Sequence, residues 1–298
     1  MSASGYEAAA IPHPSSPLLT ELLRDVSRSF YLTLRVLPRP VRPQIGLAYL
    51  LARATDTIAD TDLVPLADRL HALAMLRERG VSVTETIDGP TSAQWTVAPG
   101  VIRALDTVIE PDLSNAAPFL AAAAVAGGSV TIPRWPAQST QAGDQFPALL
   151  QQMGAQVHRG TDSLTLTGTG SLHGLDVDMS QIGELVPTFA AVAALAQSAS
   201  AIRGVAHLRG HETDRLAALV HNLRALGGSA QETDDGLIIE PAPLHGGIWK
   251  SFDDHRMATA GAIIGLRVEG VQIDDIDATA KTLPGFTASW SAMLEQQS

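Results

Sequence analysis

Two short runs bring acids, bases and cations together at close spacing: His211-Glu212-Thr213-Asp214-Arg215 and Asp254-His255-Arg256. Each stands at a predicted strand-to-helix turn. A helix N-terminus leaves backbone amides unpaired and carries the positive end of the helix dipole, so such a turn attracts anions. Arg209, His211 and Arg215 add charge and paired donors that suit a carboxylate or phosphate. Thr213 is the expected N-cap, and Glu212 among the cations is placed to move protons. Lys281 follows a third short strand. Binding a small polyanion and shuttling protons is the chemistry these residues offer. Elsewhere, Asp56 and Asp60 lie four apart on a predicted helix and share one face, which suits magnesium bridging to a diphosphate; the plain alternative is a charged helix face.

The elements that must position these groups fall into two textures. Residues 1–17 read as a loose tail rich in Pro, Ser and Gly. Residues 18–79 read as all-helical, with Leu18, Leu19, Leu22, Leu23 and Val26 on one face. Pro38, Pro40 and Pro43 break the helix, because proline lacks the amide donor and disfavours helix before it. Helix resumes at Ile45–Thr57 and again at Leu66–Arg79. From Gly80 the pattern becomes α/β, with β-like runs at Val81–Thr84 and Gln94–Val97.

Within residues 80–298 an internal repeat of roughly 70 residues emerges. An acidic residue precedes a small-residue helix three times: Asp112 before Asn115–Ala126, Glu184 before Pro187–Ala196, and Asp254 before Met257–Leu266. A strand follows each, at Ser129–Ile132, Ala201–Leu208 and Val271–Ile273. Then comes a more amphipathic helix, at Asp144–Met153, Asp214–Leu226 and Phe286–Glu295. The first two of these end at Gly154 and Gly227, the usual left-handed stop, and lead into hairpins turning at 161–163 and 233–236. The unit is βαβαββ, and the third copy is incomplete. If the copies are pseudo-symmetric, their turns meet at one end. Arg215, Arg256, Lys281, His211 and His255 then face Glu184 and Glu212. The plain alternative, residue by residue, is that Arg and Glu near helix starts are solvated or locally paired. The remaining histidines (His13, His71, His158, His173, His221, His245) read as surface or turn residues.

Composition narrows the classes. Residues 1–79 hold nine Lys/Arg and eight Asp/Glu, while residues 80–298 hold eleven and twenty-three, so a net +1 segment precedes a net −12 body. That acidic body offers no basic stripe to displace phosphate counterions, which excludes a nucleic-acid partner. With no cysteine, disulfides and thiolate metal sites are excluded. No signal-peptide pattern is visible and the Ala-rich runs are too short to span a bilayer, so a cytoplasmic location without a membrane span is expected. No glycine-rich phosphate loop, HExxH, GxSxG or metal-ligand cluster is present, so no metal is expected. The oligomeric state is not legible.

Several of these runs carry a family likeness. Glu110-Pro111-Asp112-Leu113-Ser114-Asn115-Ala116, Gly183-Glu184-Leu185, Leu208–Arg215, Asp254–Ala258 and Ala280-Lys281-Thr282-Leu283-Pro284 make residues from about 75 to 298 resemble the C-terminal half of the 3-phosphoshikimate 1-carboxyvinyltransferase (enolpyruvylshikimate-phosphate synthase) family. The resemblance implies lobes of βαβαββ units and transfer of an enolpyruvyl group from phosphoenolpyruvate to shikimate 3-phosphate in the shikimate pathway, with no metal or organic cofactor. It implies that Glu184 is the general base on the attacking hydroxyl and Glu212 the second acid/base. It also implies that Arg215, Arg256 and Lys281 hold phosphoenolpyruvate, with His255 in the same site. His207 stands where many members have Asn and His211 where many have Lys, both at positions facing the phosphorylated sugar ring. The family's N-terminal lobe motifs are not found, so a weakly anion-binding, non-catalytic fusion remnant is the rival expectation.

Residues 17 to about 74 resemble instead the N-terminus of the squalene/phytoene synthase family, through Ser29-Phe30-Tyr31 and Ala52-Arg53-Ala54-Thr55-Asp56-Thr57-Ile58-Ala59-Asp60. That resemblance implies a chimeric chain and, as a third possibility, a prenyl-diphosphate enzyme fragment.

Overall fold

The computed structural model describes residues 73–87, 93–106 and 110–295, all within a compact unit running from residue 63 to residue 298. The expected tail, the helices before residue 73 and the Asp56/Asp60 pair lie outside the described residues. Of the helix expected at Leu66–Arg79, residues 73–78 are helical.

A hairpin comes first, β1 (Val83–Ile87) against β2 (Ala93–Val97), antiparallel with Val83 opposite Val97. Three helices then form the centre: α1 (Leu113–Ala126), α3 (Val186–Ala194) and α5 (His255–Gly265). All nine residues of α3, ten of fourteen in α1 and eight of eleven in α5 are buried. A helix that is apolar on every side belongs in the interior, and these three pack against one another. Their alanines explain how: a short side chain lets neighbouring helix backbones approach closely.

Around that centre lie the strands and the more amphipathic helices. β3 (Ser129–Pro133), β4 (Gln156–Arg159) and β5 (Ser163–Thr167) make an antiparallel sheet in the order β3-β5-β4, with α2 (Phe146–Gln152) between β3 and β4 in sequence. β6 (Asp176–Asp178), β7 (Ser200–Arg203), β8 (Ser229–Glu232) and β9 (Leu237–Glu240) form a mixed sheet, β6-β7-β9-β8, whose first pair is parallel. α4 (Arg215–Ala225) connects β7 to β8. β10 (Gly247–Trp249) and β11 (Val271–Ile273) pair in parallel across α5, and α6 (Phe286–Glu295) closes the described chain. The rings of Phe286 and Trp290 dock α6 on Phe119 of α1, with centroids 5.8 and 5.6 Å away.

Most expected boundaries agree to within a few residues, and Gly154 and Gly227 both adopt positive φ as expected. Two boundaries are corrected. The strand expected at Ala201–Leu208 ends at Arg203, because Gly204 turns left-handed with φ of 76° and the chain then coils into a 3₁₀ turn at Ala206–Gly210. His207 and Arg209 therefore stand on a turn. The helix expected to begin at Asp144 opens as a 3₁₀ turn, Ala142–Gln145, and becomes α-helical only at Phe146.

Candidate active site

The N-terminal ends of α1, α4 and α5 and the 3₁₀ turn Gly183–Leu185 before α3 come together at one pole. Three aspartates cap the helices. Asp112 accepts from the Asn115 amide, Asp214 from that of Ala217 and Asp254 from that of Arg256, at 2.9, 3.0 and 2.8 Å. Asp214, not Thr213, is thus the N-cap of α4; a carboxylate at that place satisfies the amide and also meets the positive helix end.

Side chains tie these ends to one another. Arg215, first residue of α4, reaches across to the cap of α5, with Nε donating to Asp254 Oδ2 at 2.7 Å and Nη2 to Oδ1 at 3.2 Å. Ser114 on α1 donates to Glu184 Oε1 at 3.3 Å. Asn115 donates to the Thr282 carbonyl at 3.1 Å and to Asp112 Oδ2 at 2.9 Å. Lys281, in the turn after β11, bonds Glu212, and His255 Nδ1 lies 3.6 Å from Glu212 Oε2. The expected set therefore meets: Glu184, Glu212, Arg215, His255, Arg256 and Lys281 all border this pole.

Their environments differ. Arg215 and Asp254 are sealed, with side chains 3% and 0% exposed, whereas Lys281 is 57% exposed. Arg256 is half-buried. Burial pulls its pKa below the ordinary value, while Glu184 and Asp112 nearby favour its charge; a guanidinium keeps its proton regardless. Burial, then the Arg256 charge, hold His255 below the usual imidazole range against the opposing pull of Asp254 and Glu212. Glu184 is buried beside Arg256, and Glu212 is exposed.

His207 and His211 stand together, ring centroids 6.0 Å apart. Gly183 makes room for them: a Cβ there would sit 2.5 Å from His207 Nε2. Burial lowers both imidazole pKa values, that of His211 to about 4 with help from the Arg215 charge. Both rings are therefore neutral at pH 7. His211 Nε2 is buried without a hydrogen-bond partner among the described residues, and in the neutral ring it can be either donor or acceptor.

Glu212, Asp254 and His255 also present metal-type donor atoms within 4.8 Å of one another. Both Asp254 oxygens are already occupied by Arg215 and the Arg256 amide, and Lys281 holds Glu212. That donor set suits charge balance and proton handling better than a cation.

Comparison with known proteins gives this geometry a relative. The model of the EPSP synthase (3-phosphoshikimate 1-carboxyvinyltransferase) family matches residues 44–290. The chain belongs to the EPSP synthase family. It is 53% identical over 222 residues to the 3-phosphoshikimate 1-carboxyvinyltransferase of Kocuria rhizophila, a match covering 74% of this chain and 49% of the relative. The chain thus spans about half the length of the curated EPSP synthase it matches. Two solved EPSP synthase structures from Acinetobacter baumannii superpose with TM-scores of 0.61 and 0.60 at 25% identity, covering 76% and 75% of this chain and 54% and 53% of theirs. The EPSP synthase family match begins at residue 44, so it takes in residues 44–74, part of the segment expected from sequence to have a squalene/phytoene synthase origin.

Sequence reasoning picked out Asp254 and Ser114 only as parts of motifs, yet Asp254 anchors Arg215 and Ser114 holds Glu184. Their signal was positional: Asp254 caps α5 beside His255 and Arg256, and Ser114 stands in the first turn of α1, two residues after the Asp112 cap.

Proposed function

We propose that this chain supplies the phosphoenolpyruvate-handling side of an enolpyruvyl transfer onto shikimate 3-phosphate. The observation that carries the reading is the meeting of three capped helix N-termini with Arg256, Lys281 and two carboxylates of different burial. Arg256, Lys281 and the first-turn amides that the caps leave free favour an anionic substrate. The two carboxylates have separate environments, and an addition followed by an elimination needs two proton-transfer groups. Glu184, buried and held by Ser114, takes the proton of the attacking sugar hydroxyl as its oxygen bonds to the enol carbon. Glu212, exposed and between Lys281 and His255, exchanges the proton that the methylene carbon must gain and then lose. Phosphate departs with its bridging oxygen as the double bond re-forms. Arg256 and Lys281 hold the carboxylate and phosphate of phosphoenolpyruvate, and Arg215 keeps the frame through Asp254. His207 and His211 face the sugar ring.

The same reading takes residues 110–295 as successive βαβαββ units around the α1, α3 and α5 centre. In that arrangement the strand-to-helix turns fall at one pole by pseudo-symmetry. The family match and the 53% identity to a 3-phosphoshikimate 1-carboxyvinyltransferase support the enolpyruvyl-transfer reading.

The test is phosphate release from phosphoenolpyruvate by the full chain, with and without shikimate 3-phosphate. Release should require the sugar phosphate and fall by a factor on the order of 10² or more in Glu184→Gln. No release, or release indifferent to Glu184→Gln, would overturn the assignment.

A further inference from the structure

The turn that carries Lys281 is knitted largely from within. The Asp277 amide donates to Asp275 Oδ1, Thr279 Oγ1 to the Ile276 carbonyl, and the Leu283 amide to the Thr279 carbonyl, at 3.0, 2.7 and 2.9 Å. These bonds shape the turn but do not fix where it stands against the helix N-termini. Bonds to other elements do that. Lys281 itself pairs with Glu212, just before α4. One residue on, the Thr282 carbonyl accepts from Asn115 Nδ2 of α1 at 3.1 Å, across 167 positions of sequence.

Asn115 is held before it reaches out. Asp112 accepts from the Asn115 backbone amide through Oδ1 and from its Nδ2 through Oδ2, both at 2.9 Å. One carboxylate therefore fixes backbone and side chain together. An Asn amide has two hydrogens to give, and here one serves Asp112 and the other Thr282. The two tethers of the turn differ in kind. An anion bound by Lys281 competes with the Glu212 pairing, whereas it leaves the Asn115 bond untouched. The Asn115 bond can thus hold the backbone beside Lys281 while the ammonium engages a ligand. A long lysine side chain loses much rotamer freedom on binding, so a fixed backbone beside it reduces what must still be ordered.

We propose that Asn115 is a positioning residue for Lys281. Its amide pins the backbone one residue beyond the lysine to the cap of α1, and so aims the ammonium at the anion that Arg256 also holds. This rests on the reading of Lys281 and Arg256 as the cations that hold phosphoenolpyruvate. Without the bond, the turn keeps its internal hydrogen bonds and the fold persists, but Lys281 starts from a looser base.

The test is a double-mutant cycle on the phosphoenolpyruvate affinity of the full chain, measured by calorimetry at low ionic strength. Asn115→Ala should weaken binding about three- to ten-fold, the span of one lost hydrogen bond. In a Lys281→Met background the same substitution should change affinity by less than about two-fold, because no ammonium is left to aim. Asn115→Ser, whose shorter side chain can still serve Asp112 but stops short of Thr282, should repeat both results and serves as the second variant if alanine compromises folding. A purely structural role would instead give equal losses with and without Lys281. That outcome, or unchanged affinity in both Asn115 variants, would overturn the proposal and leave the reading of the site standing. Unchanged affinity in Lys281→Met alone would remove Lys281 from the ligand, and this inference would fall with that reading.

Discussion

The guanidinium of Arg215 and the carboxylate of Asp254 form a two-pronged, fully enclosed ion pair between the first residue of α4 and the cap of α5. Desolvating two charges costs several kcal/mol, so such a pair persists only where geometry and further hydrogen bonds offset it. Here the Arg256 amide supplies the extra bond. The pair thereby fixes the backbone from which His255 and Arg256 project, and sets α4, which carries Glu212 just before it, against α5.

Removing one partner should cost more than removing both. Asp254→Ala leaves Arg215 enclosed without its counter-charge and uncaps α5. Destabilisation of about 3–5 kcal/mol is expected, with the lost cap included. Arg215→Met combined with Asp254→Asn should recover much of that loss. Urea unfolding of the two variants is the check, and equal losses in both would mean that the pair holds nothing in place.

Acid should act through the same carboxylate. Burial opposes the Asp254 charge, but the bonds from Arg215 and Arg256 outweigh it and leave the pKa below 3.8. A depressed carboxylate pKa contributes stability that is complete above the unfolded value and is lost as pH falls through the folded one. The acid limb of the stability curve should therefore extend below about pH 4, and Asp254→Asn should flatten that limb.

The histidines act in a different window. His211 titrates at about 4 in the folded chain against 6.5 ordinarily, and His207 and His255 are lowered too. Between those values the unfolded chain binds more protons, so stability rises with pH from about 4 to 6.5 and is complete above it. His211→Gln should reduce this slope. A His211 resonance titrating near 6.5 in the folded chain would refute the burial argument.

Much of this architecture was legible beforehand, for physical reasons. The small-residue runs and the glycines at 154 and 227 carry their structure locally, through packing size and allowed φ. The turns at 211–215 and 254–256 were visible because cations, acids and histidines cluster at both helix starts, more than a single capping residue requires. What escaped was long-range. Nothing local says that Arg215 turns inward to Asp254, thirty-nine positions away, while Lys281 stays outside. Nor could local pattern choose Asp214 over Thr213 as the cap, since both side chains suit that role. The bond from Asn115 to Thr282 depends on α1 meeting the turn after β11, which only the assembled fold provides.

The turn before α5 stores strain. Phe252 and Asp253 both adopt left-handed φ, 54° and 56°, and the Asp254 amide closes the turn onto the Ser251 carbonyl at 3.0 Å. Side chains pay an energetic penalty in that region that glycine avoids. Asp253 is exposed, so in Asp253→Gly the relief of left-handed strain, about 1–2 kcal/mol, should outweigh the entropy cost of glycine, about 0.5–1 kcal/mol, and stability should rise slightly. Asp253→Val should lower it by at least as much, because a β-branched residue tolerates positive φ worst. Thermal unfolding distinguishes the two directions, and matching shifts would mean the turn relaxes freely.

Salt should separate the two principal cations of the site. Lys281 is exposed and its pairing with Glu212 is open to solvent, so its attraction for an anion is screened within roughly 10 Å at 0.1 M salt. Arg256 is half-buried among helix ends, where screening is weaker. Phosphoenolpyruvate affinity, measured by calorimetry from low to moderate ionic strength, should fall with salt in the unaltered chain. Lys281→Met should lower affinity at low salt and flatten the dependence. It also frees Glu212, whose negative charge then opposes the ligand, so Lys281→Met combined with Glu212→Gln should bind more tightly than Lys281→Met alone. Arg256→Ala should instead weaken binding at every salt concentration and leave the slope nearly intact. If the two single variants behaved alike, the ligand would lie outside both residues, on the acidic surface rather than between the capped helix ends.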